Sequence, residues 1–282
     1  MTQFIIGLYV CLFFYIGVSL HSIIELIVSR RKLASQLAFA SALRSRILFY
    51  AFLAVACLSR FLIISQQVYL YHQVEEVEPQ SWEYRWIHLL PILFFLSAFS
   101  VIVVFFSRLY HATQSQQTDL MSTFYFYLNS IVYVAFILIS VFTFSNQPDS
   151  IKMNLFKRLS FICFAISFFV SAASLLFYGR RISLSLSNAV FFRGGLDPKT
   201  FLKRRCLALM IVIGTVFFGR GIYFTIESTL QSEIRPSFIP DLIWETIYFM
   251  IFECIPSVIC CHLLNAKPKT QNKDALLTVV NE

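Results

Sequence analysis

Four ionisable side chains stand inside stretches of sequence that are otherwise apolar: Arg60, Arg220, Glu245 and Glu253. Charged groups in such a setting pair with one another, line an ion or proton path, or hold a ligand of opposite charge. Glu253 is the most informative, because it lies in the middle of "WETIYFMIFECIPSVICCHLL" with Pro256 three residues further on. A proline removes one helical hydrogen bond, and here its ring crowds the carbonyl of Phe252, so a kink is expected beside the carboxylate. At 1.5 Å per residue, Arg60 lies about 15 Å and Arg220 about 10 Å from the outer ends of their segments; Glu245 lies ~5 Å and Glu253 ~17 Å from theirs. Both arginines therefore fall between the glutamates in depth. We expect one buried polar cluster of Arg60, Arg220, Glu253 and Glu245. A structural clamp is preferred to a ligand or proton site, because structural ion pairs also perturb charge. Gly219 and Gly221 flank Arg220 and leave room for a neighbouring helix to approach.

Other chemistry finds little support. The five histidines, His21, His72, His88, His111 and His262, are scattered over both ends of the apolar segments. His21, His262 and Glu25 could meet only if the first and last segments pack together. All seven cysteines lie in or beside apolar runs, and none forms a CxxC pair with zinc spacing. Cys260-Cys261 near one border is a weak acylation signal against the commoner reading as ordinary helix cysteines. No nucleophile motif or phosphate loop is present. The expectation is a protein without catalytic residues, metal or cofactor.

The elements that must position the charges are set by composition. Hydrophobic residues make up 58% of the 282 residues and charged residues 13%; soluble domains carry about 25% charge. Crossing the hydrocarbon takes about 20 apolar residues. Seven stretches qualify, about 4–28, 47–70, 87–107, 124–145, 159–178, 206–226 and 242–264. The fold class is an all-α integral membrane protein, a seven-transmembrane-helix bundle over 1–265 with a tail over 266–282.

Charge then orients the bundle. The odd loops and tail hold 16 basic residues against 5 in the even loops. Prominent among them are Arg30, Arg31, Lys32, Arg44 and Arg46 in the first loop, and Arg180, Arg181, Lys203, Arg204 and Arg205 in the fifth. The positive-inside rule puts these loops and the C-terminus in the cytoplasm, with the N-terminus outside or lumenal. The net charge of +8 is thus read as topology and attraction to anionic lipid headgroups, not as nucleic-acid binding.

The last segment resembles that of the tobamovirus multiplication protein family, the plant proteins and their receptor-like lysosomal relatives. That family ends in a Tyr-Tyr-x-x-x-Glu-Ile-Leu-Pro-Ser pattern before an apolar run and a basic tail. Tyr248, Glu253, Pro256 and Ser257 match it. The segment "FFSRLYHAT" is similar to the family's Trp-Ala-Glu-Ile-Tyr-x-x-Ala through Tyr110, although Arg108 stands where the family has an acid. Arg220 in "FFGRGIYF" resembles the family's span-six arginine. The resemblance implies a vacuolar, lysosomal or other endomembrane protein, a platform that binds small Arf-like GTPases and, in infected plants, viral replication proteins.

Three functional readings follow. The first is a non-enzymatic membrane platform that recruits cytoplasmic partners through its basic loops. The second is a G-protein-coupled-receptor-like signalling receptor, supported by topology; against it, Ser107-Arg108-Leu109-Tyr110 is a poor Asp-Arg-Tyr, and Asn-Pro-x-x-Tyr is missing from the last span. The third is an intramembrane hydrolase or transporter, for which neither converging histidines nor inverted repeats with broken helices are seen.

Overall fold

Seven long helices account for the described chain. A computed structural model describes residues 2–35, 40–73, 82–113, 120–144, 150–190, 198–229 and 247–265. The helices are α1 (Thr2–Ser35), α2 (Ala40–Gln73), α3 (Trp82–Thr113), α4 (Leu120–Phe144), α5 (Ser150–Val190), α6 (Pro198–Thr229) and α7 (Ile247–Asn265). Each contains a stretch long and apolar enough to cross a membrane. In lipid every backbone polar group must be satisfied within the segment, and a helix does this. Four buried serines follow the same rule. The hydroxyls of Ser22, Ser100, Ser140 and Ser167 each donate to the carbonyl four residues back, at 2.6–2.7 Å.

The helices run past the predicted spans. Apolar length marks the hydrocarbon, whereas a helix continues into water wherever its residues tolerate it. Several of the basic residues read as loops are therefore helical: Arg30, Arg31 and Lys32 on α1, Arg44 and Arg46 on α2, Arg180 and Arg181 on α5, and Lys203, Arg204 and Arg205 on α6.

α3 is the central helix, with 72% of its apolar window buried, against 28% for α1 and 22% for α4. It packs on α2, α4 and α5; α5 packs most extensively on α6, and α7 closes the bundle against α6 and α1. Phenylalanines fill the centre. Phe217 of α6 meets Phe99 of α3 and Phe168 of α5 at centroid distances of 6.2 and 5.7 Å. Phe224 stacks on Phe168 at 5.7 Å and contacts Phe164 at 5.6 Å. Rings at these separations contribute beyond their buried area. Other large apolar side chains, such as Phe13 (76% exposed) and Phe126 (70%), face outward, as expected where the surroundings are lipid.

Cys260 and Cys261 are buried between helices. At 0% and 4% exposure they fit the reading as ordinary helix cysteines.

Candidate functional site

Glu253 organises the interior. It is fully buried on α7, and both of its carboxylate oxygens accept two hydrogen bonds. Arg60 of α2 approaches as a fork, with Nη2 donating to Oε1 at 2.7 Å and Nε to Oε2 at 3.0 Å. Arg220 of α6 donates from Nη2 to Oε1 at 2.6 Å. Tyr15 of α1 donates from its hydroxyl to Oε2 at 2.7 Å. One carboxylate thus joins four helices. Bonds to ionised partners are roughly twice as strong as neutral ones, and the arginine fork also fixes orientation.

Two guanidinium groups on one carboxylate leave excess positive charge, which aromatic faces take up. Arg60 lies 4.4 Å from the centroid of Phe249. Arg220 sits 5.7 Å from Phe95, 5.5 Å from Phe168 and 5.7 Å from Tyr248. The negative faces of these rings attract a cation. Arg60 also donates from Nη1 to the backbone carbonyl of His88 at 3.4 Å, in the turn of α3 that Pro91 interrupts. Nε and Nη1 of Arg220 have no hydrogen-bond partner among the described residues.

The local backbone explains how Glu253 reaches inward. Met250–Cys254 form a π-helical turn, closed by a bond from the Ile255 N–H to the Met250 carbonyl. Pro256, next in line, cannot donate to Phe252, and the wider turn absorbs that gap. The expected distortion at Pro256 takes this form. Gly219 and Gly221 permit the approach of α6. A Cβ at Gly219 would lie 2.6 Å from the ring of Phe252 on α7, and one at Gly221 would lie 2.8 Å from the ring of Phe169 on α5.

The structure thus brings Arg60, Arg220 and Glu253 together, whereas Glu245 lies outside the described residues. Tyr15 was missed by the sequence reading. Its hydroxyl bonds a carboxylate that already has two cations, so Tyr15→Phe removes one of four bonds. The expected loss is about 1–2 kcal/mol of stability, to be measured as earlier thermal loss of the monodisperse protein in detergent. An unchanged midpoint would show that α1 is held to α7 by packing alone.

A second polar cluster ties α1, α2 and α7 at the end of the bundle that carries the basic residues. Arg46, read from the sequence as a loop cation, pairs with Glu25 at 2.6 Å and also bonds the Asn265 side chain. Tyr50 donates to the same Asn265 oxygen at 2.9 Å. The Asn265 amide nitrogen lies 3.2 Å from Nε2 of His21. Nearby, Arg108 of α3 donates to Ser45 of α2 at 3.1 Å, and Arg181 of α5 to Tyr110 of α3 at 3.2 Å. Arg30, Arg31, Arg44, Arg180, Arg181 and Arg204 are exposed at this end. No group of three or more His, Cys, Asp or Glu placed to hold a metal occurs among the described residues.

Comparison with known proteins bears on the same helices. Tobamovirus multiplication protein 1 from Nicotiana tabacum is 24% identical over 179 residues, 64% of this chain and 59% of that protein. The protein of the same name from Arabidopsis thaliana is 25% identical over 179 residues, 64% of this chain and 58% of that protein. The aligned part is thus under two thirds of either relative's length. No solved structure matches. The THH1/TOM1/TOM3 domain matches residues 9–278, from the first helix to beyond the last, and the chain belongs to that family.

Proposed function

We propose that this chain is a non-enzymatic seven-span platform of a vacuolar or lysosomal membrane, and that it recruits small Arf-like GTPases through the basic end of its bundle. The observation that carries the reading is the engagement of the buried charges. Glu253 accepts all four hydrogen bonds from Tyr15, Arg60 and Arg220, which suits a clamp rather than proton transfer by that carboxylate. The accessible chemistry lies instead in Arg30, Arg31, Arg180, Arg181 and Arg204, exposed on α1, α5 and α6 at the borders of their apolar stretches. By the positive-inside rule this end faces the cytoplasm. Family membership supports the platform reading through the names of the relatives, which connect those proteins with tobamovirus multiplication.

Proximity labelling in native cells tests it. Arf-like GTPases together with vacuolar or lysosomal markers are the expected harvest. Changing Arg30, Arg31, Arg180 and Arg181 to glutamine should reduce GTPase labelling several-fold, with the protein still reaching its membrane. Enrichment of heterotrimeric G-protein subunits at the plasma membrane would instead support the receptor reading.

A further inference from the structure

A groove of about 550 Å³ runs between α1 and α7. Phe13, Phe14, Gly17 and His21 line it from α1, and Val258, His262 and Asn265 from α7. Phe13, Gly17 and Val258 are exposed, so it opens sideways to lipid. At 1.5 Å per residue, Phe13 to His21 is about 12 Å of helix, and the hydrocarbon of one leaflet is about 15 Å thick. The groove therefore follows most of one leaflet, from the apolar interior at Phe13 to the basic end of the bundle at His21. Its wall is low at Gly17, where an added Cβ would meet nothing within 4 Å. The volume falls within the roughly 300–1,000 Å³ of small-molecule sites.

Hydrogen-bonding side chains gather at one end of the groove, and they are uncharged. No acid, lysine or arginine lines it among the described residues. Arg46 and Glu25, beside that end, pair with one another at 2.6 Å. The Asn265 side-chain oxygen accepts from Arg46 and from Tyr50. Arginine can only donate, so the amide is fixed, and its nitrogen donates to Nε2 of His21 at 3.2 Å. With Nε2 accepting, the imidazole carries its hydrogen on Nδ1, a donor that Asn265 does not use. His262 adds a second, exposed imidazole. A phosphate or carboxylate headgroup would find no cation in this lining, and Glu25 stands one turn beyond His21. A pure hydrocarbon would leave the imidazoles unused. The fit is a rigid, neutral amphiphile about one leaflet long with one hydroxyl, a group that both donates and accepts. Rigidity also limits the ordering cost of binding.

We propose that the groove between α1 and α7 binds a sterol, with the hydroxyl at His21 and His262 and the ring body along Phe13, Phe14 and Gly17. The site is independent of the GTPase-recruitment reading and stands or falls by sterol binding to the purified chain.

Photolabelling of the purified full chain in detergent micelles with a photoreactive cholesterol, followed by peptide mass spectrometry, is the test. Label is expected on α1 and α7, displaced by excess cholesterol and not by phosphatidylcholine. Cholesterol methyl ether, which cannot donate, should displace it about fivefold less well, the scale of one neutral hydrogen bond. Gly17→Trp fills the groove from a position with open space around it and should cut labelling about tenfold. Val258→Trp fills it from the opposite wall and should do the same, which guards against misfolding of either variant. Ile24→Trp adds the same bulk on the exposed face of α1 away from the groove and should leave labelling unchanged. Labelling that persists in both groove variants, equal loss in Ile24→Trp, or equal displacement by phosphatidylcholine would overturn the site. Dissociation of a dimer by Gly17→Trp, read by mass photometry, would overturn it in favour of a second copy of the chain.

Discussion

Replacing Glu253 by leucine is expected to destabilise the protein by about 3–5 kcal/mol, the cost of stripping a buried charge of its partner. Here two charges would be stripped at once. Arg60 is 2% exposed and Arg220 fully buried, and both bond this carboxylate. The aromatic faces around them soften the loss but supply no hydrogen-bond acceptor. The expected result is near-complete loss of monodisperse protein after detergent extraction. The arginine variants should be milder and unequal. Arg220→Met leaves a neutral pair, the Arg60 fork on Glu253 with Tyr15 still donating. It also removes two nitrogens that lack partners among the described residues. Arg60→Met breaks two bonds to the carboxylate, the bond to the His88 carbonyl and the contact with Phe249. Arg60→Met is therefore the worse of the two. Combining Arg60→Met, Arg220→Met and Glu253→Leu removes every charge together and should recover much of the Glu253→Leu loss, since a well-packed apolar substitute for a buried ion cluster is often neutral or better. Should the triple variant be no more stable than Glu253→Leu alone, the ion cluster is not the source of the loss.

The legible part of this site was its charge. Arg60, Arg220 and Glu253 stand out because each interrupts an apolar run, and such residues turn inward and pair. Tyr15 gave no such contrast. A tyrosine in a helix rich in aromatic residues looks like any other apolar neighbour, and only the packing of α1 on α7 fixes what its hydroxyl meets. Arg46 was hidden for a related reason. It stands at the border of its span, where a cation satisfies the topology rule without a partner, and its pairing with Glu25 depends on how α1, α2 and α7 converge. Pro256 announced a distortion, but a kink and a π turn relieve the same missing N–H, and the sequence does not distinguish them.

The core was harder still. In water, the apolar face of a helix reveals what is buried. In lipid, Phe13 faces outward and Phe217 faces the centre, yet both are phenylalanine in an apolar segment. The number of helices could be read from apolar length; which phenylalanines interlock at α3, α5 and α6 could not. The few residues that do mark a helix–helix face from sequence are small ones, and here they are glycines.

Gly219 and Gly221 give the second large expected effect. They stand two residues apart, about 200° around the helix, and so face different neighbours: Gly219 faces Phe252 of α7 and Gly221 faces Phe169 of α5. Arg220 between them points to Glu253. An alanine is ordinarily worth about 0.8–1 kcal/mol over glycine in a helix, so the sign of the substitution is informative. A Cβ at Gly221 would meet three ring atoms of Phe169 at 2.8–3.0 Å, and one at Gly219 would meet Phe252 at 2.6 and 3.1 Å. Phe252 is packed on Tyr248 at 5.1 Å and Phe169 on Phe218 at 5.9 Å, which restricts how far either ring can turn. Overpacking of this kind costs about 1–3 kcal/mol, enough to reverse the propensity gain. Gly179 is the internal control, because its obstacle is the thioether end of Met210, a side chain able to swing away. Gly219→Ala and Gly221→Ala should therefore lower the thermal midpoint in detergent, and Gly179→Ala should leave it nearly unchanged. The clamp adds a sharper expectation. If Cβ contact pushes α6 off α7, it also stretches the 2.6 Å Arg220–Glu253 bond, so Gly219→Ala should cost less in an Arg220→Met background than alone. Strictly additive losses would mean that the glycine serves packing only and has no part in setting the depth at which the arginine meets the carboxylate.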